Sequence, residues 1–347
     1  MELCTDAPGC YAGLGLMLES PGFELSFHLS AEPEAGASIQ PGLEMHEGLE
    51  EASEDIEQRV HSILGRRVEV LGLRNSAQKI AISSSLPLHH GLGAGTQLGC
   101  AVAAGMELAE QFVRVGSQSL NLKEQPIASR IPSEQWLAHA SGRGLRSGIG
   151  LSGFLRGGLI LDEGYAAGAA SDPNRARVVD TQATSIPEDW RVILLTPDDT
   201  HTVHGEYEAE LLADIAEHPM PEREAMRRIA HQIFFRLHEG CELNEFAALL
   251  DQYTAIAGSM FDSVQGGRFS SPTIEDAAEL AASEGLVGVG QSSWGPAVFG
   301  FCQASEAEEI SDRIAEQRFS GTAQVCSIAN TGAKFRFSTN KLAGDKV

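Results

Sequence analysis

Positive charge is scarce in this chain. Its 347 residues include 25 Lys and Arg against 48 Asp and Glu, which gives a formal net charge of −23. So acidic a chain repels polyanions such as nucleic acids and anionic membrane surfaces. We therefore expect neither nucleic acid nor membrane as a partner, and any anionic ligand needs cations gathered locally at its site.

Paired cysteines and long apolar runs are also missing. The six cysteines are scattered without a C-x-x-C pair, which argues against a zinc ribbon or a disulfide scaffold. The sequence has no recognisable signal peptide and no apolar run long enough to span a membrane, so we expect a cytoplasmic protein. The length and the 42% hydrophobic content predict two domains with ample buried core.

Glycine, by contrast, is abundant, and three glycines alternate in one short segment. Gly91, Gly93 and Gly95 lie between a predicted strand and a predicted helix over 96–115. Glycine allows close approach of the backbone to a ligand, and a helix N-terminus favours phosphate. The spacing matches neither the dinucleotide fingerprint nor a Walker loop. We predict a phosphate cradle, with a turn that only packs as the alternative, formed by His90, Gly91, Leu92, Gly93, Ala94, Gly95, Thr96 and Gln97.

A second glycine-rich block, residues 141–150, concentrates arginines in this acidic chain. Arg143 and Arg146 stand among its glycines. The guanidinium fork binds phosphate or carboxylate oxygens in pairs, so both residues are candidate catalytic contacts to an anion. A surface turn with local ion pairs is the alternative.

A third block carries Gln291, Ser292, Ser293 and Trp294 on a sharp turn before an apolar strand. Its polar groups suit a phosphate and its indole suits an aromatic ring, although a hairpin turn with a packing Trp has the same pattern. His204 lies in a separate His-rich segment whose spacing is not that of a zinc protease. We predict a substrate contact or acid–base role for His204 and assign no metal ligand.

Apolar periodicity predicts helices layered on a largely antiparallel sheet, which is an α+β fold. A change of composition near residue 185 suggests two domains, 1–185 and 186–347. In the first of these, the pattern predicts a helix from Glu50 that stops at Gly65, followed by a strand over 67–73.

The blocks together resemble one group of proteins. Residues 87–97 (PLHHGLGAGTQ) resemble the phosphate-binding motif of the GHMP superfamily, which includes galactokinase, homoserine kinase and mevalonate kinase. The GTQ ending, with GRGLRSGIG at 142–150, RGG at 156–158 and GQSSWGP at 290–296, is similar to the β-ribofuranosylaminobenzene 5′-phosphate synthase family. That resemblance implies a GHMP-kinase-like two-domain fold, with a ribosomal-S5-like N-terminal domain and a ferredoxin-like C-terminal domain.

The resemblance also implies an activity. A 4-substituted benzoate, either 4-aminobenzoate or 4-hydroxybenzoate, would condense with 5-phosphoribosyl 1-pyrophosphate and release CO2 and pyrophosphate, as a step of tetrahydromethanopterin biosynthesis. It further implies Mg²⁺ as a cofactor and a homodimer.

Two departures from the GHMP kinases matter for the function. No Asp or Glu lies between Ser141 and Leu161, where such kinases commonly carry a catalytic acid, and this favours the synthase. The family's usual Arg-Leu-His-like opening strand is also missing before Gly13. An ATP-dependent small-molecule kinase and a non-catalytic binding protein remain the alternatives.

Overall fold

The computed structural model of the chain describes residues 12–29, 41–46, 53–69, 71–73, 77–115, 123–144, 147–164, 181–198, 221–265, 267–317 and 319–338. Within these ranges the helices are α1 (Ser53–Glu69), α2 (Ala94–Val115), α3 (Glu134–Ser141), α4 (Ile149–Arg156), α5 (Pro221–Glu239), α6 (Leu243–Gln265), α7 (Pro272–Ser283) and α8 (Ala307–Glu316). The strands are β1 (Gly13–Leu16), β2 (Glu24–Leu29), β3 (Gly42–Met45), β4 (Ala77–Ser84), β5 (Gln125–Pro126), β6 (Leu159–Asp162), β7 (Thr181–Thr184), β8 (Trp190–Pro197), β9 (Val287–Gln291), β10 (Val298–Gln303), β11 (Gly321–Cys326) and β12 (Lys334–Phe335).

Helix α2 is the centre of the N-terminal half. It packs on α1, α3 and α4 and on the sheet β2-β4-β3, in which β2 runs antiparallel and β3 parallel to β4. Its small side chains let these elements come close. At Gly105, an added Cβ would lie 2.1 Å from the ring of Phe27, so a larger residue would push the sheet away. The tight packing fixes where the first turn of α2 stands.

The C-terminal half is built on the four-stranded antiparallel sheet β11-β8-β10-β9. Alternate residues of β8 face opposite sides: Val192 and Leu194 pack towards α5 and α6, whereas Ile193 and Leu195 pack towards α7 and α8. Burial on both faces explains why β8 reads as a continuous apolar run. The last strand lies beside the first, which is the order of a ferredoxin-like sheet.

The α+β fold predicted from the sequence is therefore confirmed. The predicted boundary at residue 185 stays a prediction. Among the described residues, none of the helices is both long and apolar enough to cross a membrane.

Two local predictions are wrong. Helix α1 does not stop at Gly65 but continues to Glu69, and the strand expected over 67–73 does not form. The cause is tertiary: the fully buried Arg67 donates to the carbonyl oxygen of Ala103, 3.2 Å away, and its guanidinium lies over the ring of Trp136. Helix α4 forms in a glycine-rich stretch for which the sequence predicted no helix.

The position of Gly65 inside a helix predicts that Gly65→Ala stabilises the protein by about 0.5–1 kcal/mol, since Ala removes the entropic cost of glycine. No atom lies within 4 Å of the Cβ that would be added. Gly240→Ala is the matched contrast: that site is equally open, but its φ of +87° penalises a side chain, so stability falls by about 1–2 kcal/mol. The free energy of unfolding in urea measures both effects. A loss of stability in Gly65→Ala would contradict the placement of Gly65 inside helix α1.

Candidate functional site

The predicted phosphate cradle is a loop that connects β4 to α2. Gly91 and Gly93 have φ of +74° and +69°, and His89 is also left-handed with φ of 60°. The backbone N–H groups of Thr96 and Gln97 donate to the carbonyl oxygen of Gly93, at 3.0 and 3.1 Å. These bonds start α2 directly at the glycine loop, so the positive end of the helix dipole, where an anion is favoured, lies at the glycines.

Two arginines converge on this helix end. The Cβ that Gly95 lacks would lie 2.9 Å from Nη1 of Arg59 and 3.4 Å from Nη2 of Arg143. Arg143 comes from the predicted arginine block, and its side chain also passes Gly99, whose added Cβ would lie 3.4 Å from the arginine Nε. Both guanidinium groups thus stand beside the first turn of α2.

Sequence reasoning missed Arg59. It lies on α1, one turn after Asp55, and that i, i+4 spacing is typical of an ordinary pair on a helix surface. This spacing does not indicate that the pair faces the glycine loop, which lies about 30 residues further along the chain. Only the packing of α1 against α2 brings Arg59 to Gly95.

A carboxylate joins Arg59 to the loop. Asp55 accepts hydrogen bonds from Nε and Nη2 of Arg59, at 3.2 and 3.3 Å, and its Oδ2 lies 3.0 Å from Nε2 of His89. Partial burial raises the pKa of the Asp55 carboxyl, but the hydrogen bonds and charges of Arg59 and His89 outweigh it and hold that pKa below its usual range. The carboxylate is therefore ionised at neutral pH.

The second glycine-rich block packs directly on the start of α2. The side-chain amide of Gln97 donates to the carbonyl oxygen of Gly150, 2.9 Å away, and a Cβ on Gly150 would lie 2.9 Å from Cγ2 of Thr96. Thr96 and Gln97 thus connect α2 to α4. Glycine at 150 is required by this close approach.

An acid also reaches this block, from the end of β6. Asp162 is 1% exposed and accepts from the backbone N–H of Gly148 at 2.8 Å and from the hydroxyl of Ser147 at 3.0 Å. Burial raises the pKa of Asp162, and its hydrogen bonds oppose that shift only in part. Among the described residues Ser147 lines the cleft and Asp162 does not, so this carboxyl stabilises the start of α4.

The predicted turn after β9 is fastened to the cradle. The hydroxyl of Ser292 donates to the carbonyl oxygen of Gly91, 2.9 Å away. A Cβ on Gly91 would lie 2.0 Å from the backbone carbonyl oxygen of Ser292. Gln291 accepts from the N–H of Ser270 and donates to the carbonyl oxygen of Ser293, at 2.8 and 2.9 Å. These polar groups thus hold the turn together and against the loop.

Of the remaining predicted site residues, some line the cleft and two lie outside the described residues. His90 and Leu92 line the cleft beside Gly91, with Nδ1 of His90 2.6 Å from the carbonyl oxygen of Leu88. Trp294 also lines the cleft, although it is only 6% exposed. Arg146 and His204 lie outside the described residues.

A cleft of about 1440 Å³ contains the cradle, the turn and the arginine block. Among the described residues that line it, only two carry a carboxylate, Glu19 and Glu124. Six carry a positive charge: Arg59, Arg143, Arg223, Arg227, Arg268 and Lys334. In a chain of net charge −23, this local excess of cations suits an anionic ligand, although Arg59, Arg227 and Lys334 also pair with carboxylates of the protein.

Comparison with known proteins identifies the chain's relatives. Residues 241–320 match the family described as GHMP kinases C terminal. A beta-ribofuranosylphenol 5′-phosphate synthase of Methanothermobacter thermautotrophicus is 26% identical over 92% of this chain and 90% of its own length. One of the same name from Archaeoglobus fulgidus is 27% identical over 74% of this chain and 75% of its own length.

The chain is similar to the beta-ribofuranosylphenol 5′-phosphate synthases over most of its length. The resemblance found in the sequence is thereby confirmed, and so is the prediction that the chain is an enzyme. A mevalonate kinase of L. major, solved with R-mevalonate, shares the fold with a TM-score of 0.61 at 13% identity, over 94% of this chain and 91% of that one. A homoserine kinase of Cytophaga hutchinsonii aligns over 94% of this chain and 92% of its own, with a TM-score of 0.54 at 15% identity. The GHMP kinase fold predicted from the sequence is confirmed.

The crowding at Gly95 predicts a variant that separates folding from binding. The added methyl of Gly95→Ala displaces the flexible ends of Arg59 and Arg143, so the fold survives while the cation pair moves. We expect an unchanged melting temperature and an affinity for inorganic pyrophosphate lowered about tenfold or more, measured by calorimetry. Gly65→Ala, in open space on α1, is the control and should bind as the wild type does. Equal pyrophosphate affinity in the two variants would show that Arg59 and Arg143 do not contribute to anion binding.

Proposed function

We propose that the chain condenses 4-hydroxybenzoate with 5-phosphoribosyl 1-pyrophosphate to give β-ribofuranosylphenol 5′-phosphate, CO2 and pyrophosphate. The observation that supports this most strongly is the convergence of Arg59 and Arg143 on the N-terminus of α2, inside a cationic cleft of an acidic chain. A diphosphate fits such a site because two guanidinium forks and a helix end offer many N–H donors at once.

The reaction balances without a net proton transfer. The bond from ribose C1 to the pyrophosphate oxygen breaks, and the pyrophosphate keeps the electron pair. The ring carbon that carries the carboxylate then bonds to C1, and the loss of CO2 returns its electron pair to the ring. The site must therefore stabilise the departing pyrophosphate and orient the benzoate, which are electrostatic and positioning tasks.

In the proposed reaction, different residues carry out these two tasks. The first turn of α2, Arg59 and Arg143 hold the diphosphate as negative charge develops on it. Ser292 holds the turn of residues 291–295 against the loop through Gly91. Arg146 and His204 stay candidate contacts, as the sequence suggested.

The choice of benzoate follows the relatives' name. A phenol product requires the 4-hydroxy compound, whereas 4-aminobenzoate would give an aminobenzene, so 4-hydroxybenzoate is the first substrate to test. The cytoplasmic location, the homodimer and the place in tetrahydromethanopterin biosynthesis remain predictions.

Magnesium also remains a prediction. Within the described part of the chain, no group of three His, Cys, Asp or Glu side chains could hold a metal ion. The protein's own donors there do not form a metal centre, so no step of the reaction is assigned to one. Magnesium commonly takes most of its protein-site ligands from substrate phosphates and water.

The direct test incubates the purified chain with 5-phosphoribosyl 1-pyrophosphate, Mg²⁺ and carboxyl-labelled 4-hydroxybenzoate. We expect labelled CO2 and pyrophosphate in equal amounts. Arg143→Ala should lower kcat/KM roughly 10- to 100-fold, since it removes a charge-assisted contact worth about 1.5–3 kcal/mol.

Arg130→Ala is the matched control, because Arg130 is exposed and does not line the cleft. Release of ADP from ATP in the presence of a small alcohol, with no CO2 from the benzoate, would instead establish a kinase. Binding of 5-phosphoribosyl 1-pyrophosphate without turnover would establish a non-catalytic protein.

A further inference from the structure

We propose that Asp55 is a positioning residue that holds Arg59 and His89 in place to bind a diphosphate, so that α1 supplies half of the anion site. The proposal deepens the proposed function and rests on it for the identity of the ligand. Neither the sequence patterns nor the relatives' names point to α1.

Different nitrogens of the Arg59 guanidinium face Asp55 and the glycine loop. Nε and Nη2 are held by Asp55, whereas Nη1 is the atom nearest to Gly95. A side chain fixed on one edge in this way presents its other nitrogen to the loop in a single orientation. Because a free arginine has many rotamers, fixing it before the ligand arrives removes an entropic cost from binding.

The same carboxylate reaches the loop through His89. This residue has a left-handed φ of 60°, which is unfavourable for a side chain with a Cβ and persists only where the surroundings impose it. The contact of its Nε2 with Oδ2 of Asp55 at 3.0 Å is one such restraint, and the ring lines the cleft. One carboxylate thus ties α1 and the glycine loop into a single unit.

A diphosphate is the ligand that this unit fits best. Arg59 reaches the first turn of α2 from α1, and Arg143 reaches it from the segment after α3, so two forks approach one helix end. Two linked phosphoryl groups can engage both forks at once, whereas a single phosphate satisfies fewer of their donors. We therefore expect the site to prefer inorganic pyrophosphate to inorganic phosphate.

The rival explanation of Asp55 predicts the opposite change in anion affinity when this carboxylate is removed. If this carboxylate only neutralises the site, it repels the ligand and competes for Arg59, so its removal would tighten anion binding. If it positions the cations, its removal weakens binding even though one negative charge near the anion is lost.

The experiment measures binding of inorganic pyrophosphate and inorganic phosphate by calorimetry for the wild type, Asp55→Asn and Glu54→Gln. Glu54 is exposed, lies next to Asp55 on α1 and loses the same charge, so Glu54→Gln reports the long-range electrostatic effect alone. We expect Asp55→Asn to weaken pyrophosphate binding at least tenfold and Glu54→Gln to leave it unchanged or slightly tighter. Unchanged or tighter binding in Asp55→Asn would overturn the proposal.

Arg59→Lys provides a second arm that does not depend on whether Asp55→Asn folds. Lysine keeps the charge but cannot contact Asp55 and the loop with separate edges, so pyrophosphate affinity should again fall about tenfold. Wild-type affinity in this variant would contradict the positioning role.

A kinetic readout separates this proposal from the proposed function. In the synthase assay, Asp55→Asn should raise the KM for 5-phosphoribosyl 1-pyrophosphate and leave the KM for the benzoate unchanged. If the wild type forms no CO2 but Asp55→Asn still binds pyrophosphate at least tenfold more weakly than Glu54→Gln does, the proposed reaction is wrong and the positioning role stands. If the wild type is active and Asp55→Asn matches it in both KM and affinity, the positioning role is wrong.

Discussion

The central constraint on this protein is electrostatic: two arginines stand together at one helix end, in a chain that is otherwise strongly acidic. Arg59 and Arg143 come from separate segments and meet at the first turn of α2, where the helix dipole has the same sign as their charges. Such an arrangement is unfavourable unless something negative is close. Asp55 supplies one such negative charge beside Arg59, and an anionic ligand in the cleft would supply another.

Packing makes this convergence possible. Small residues on α2 let α1, α3 and the sheet approach closely, and the buried Arg67 keeps α1 helical beyond Gly65. The packing of α1 against α2 brings Asp55 and Arg59, near the start of α1, to the loop. On the other side, the bond from Ser292 to Gly91 joins the loop to the turn after β9. Glycine at 91 is what permits that contact.

The sequence alone predicted the α+β fold and a glycine loop between a strand and a helix, because apolar periodicity and alternate glycines are local signals. It also singled out Arg143, a cation among glycines, which the structure places beside this loop. It did not predict Arg59, whose spacing from Asp55 suits any helix surface, nor the contact of His89 with Asp55. Those depend on how helices pack, which one-dimensional spacing does not contain. The turn at Gln291–Trp294 was predicted as a ligand contact, and the structure adds that its polar side chains also hold the turn and the loop together.

The most direct measurement is a crystal structure of the protein soaked with 5-phosphoribosyl 1-pyrophosphate. The account predicts the diphosphate at the N-terminus of α2, with its oxygens about 3 Å from Nη1 of Arg59 and from Arg143. Asp55 should keep its contacts with Arg59 and His89. A diphosphate bound elsewhere in the cleft, with Arg59 and Arg143 not touching it, would contradict the central claim.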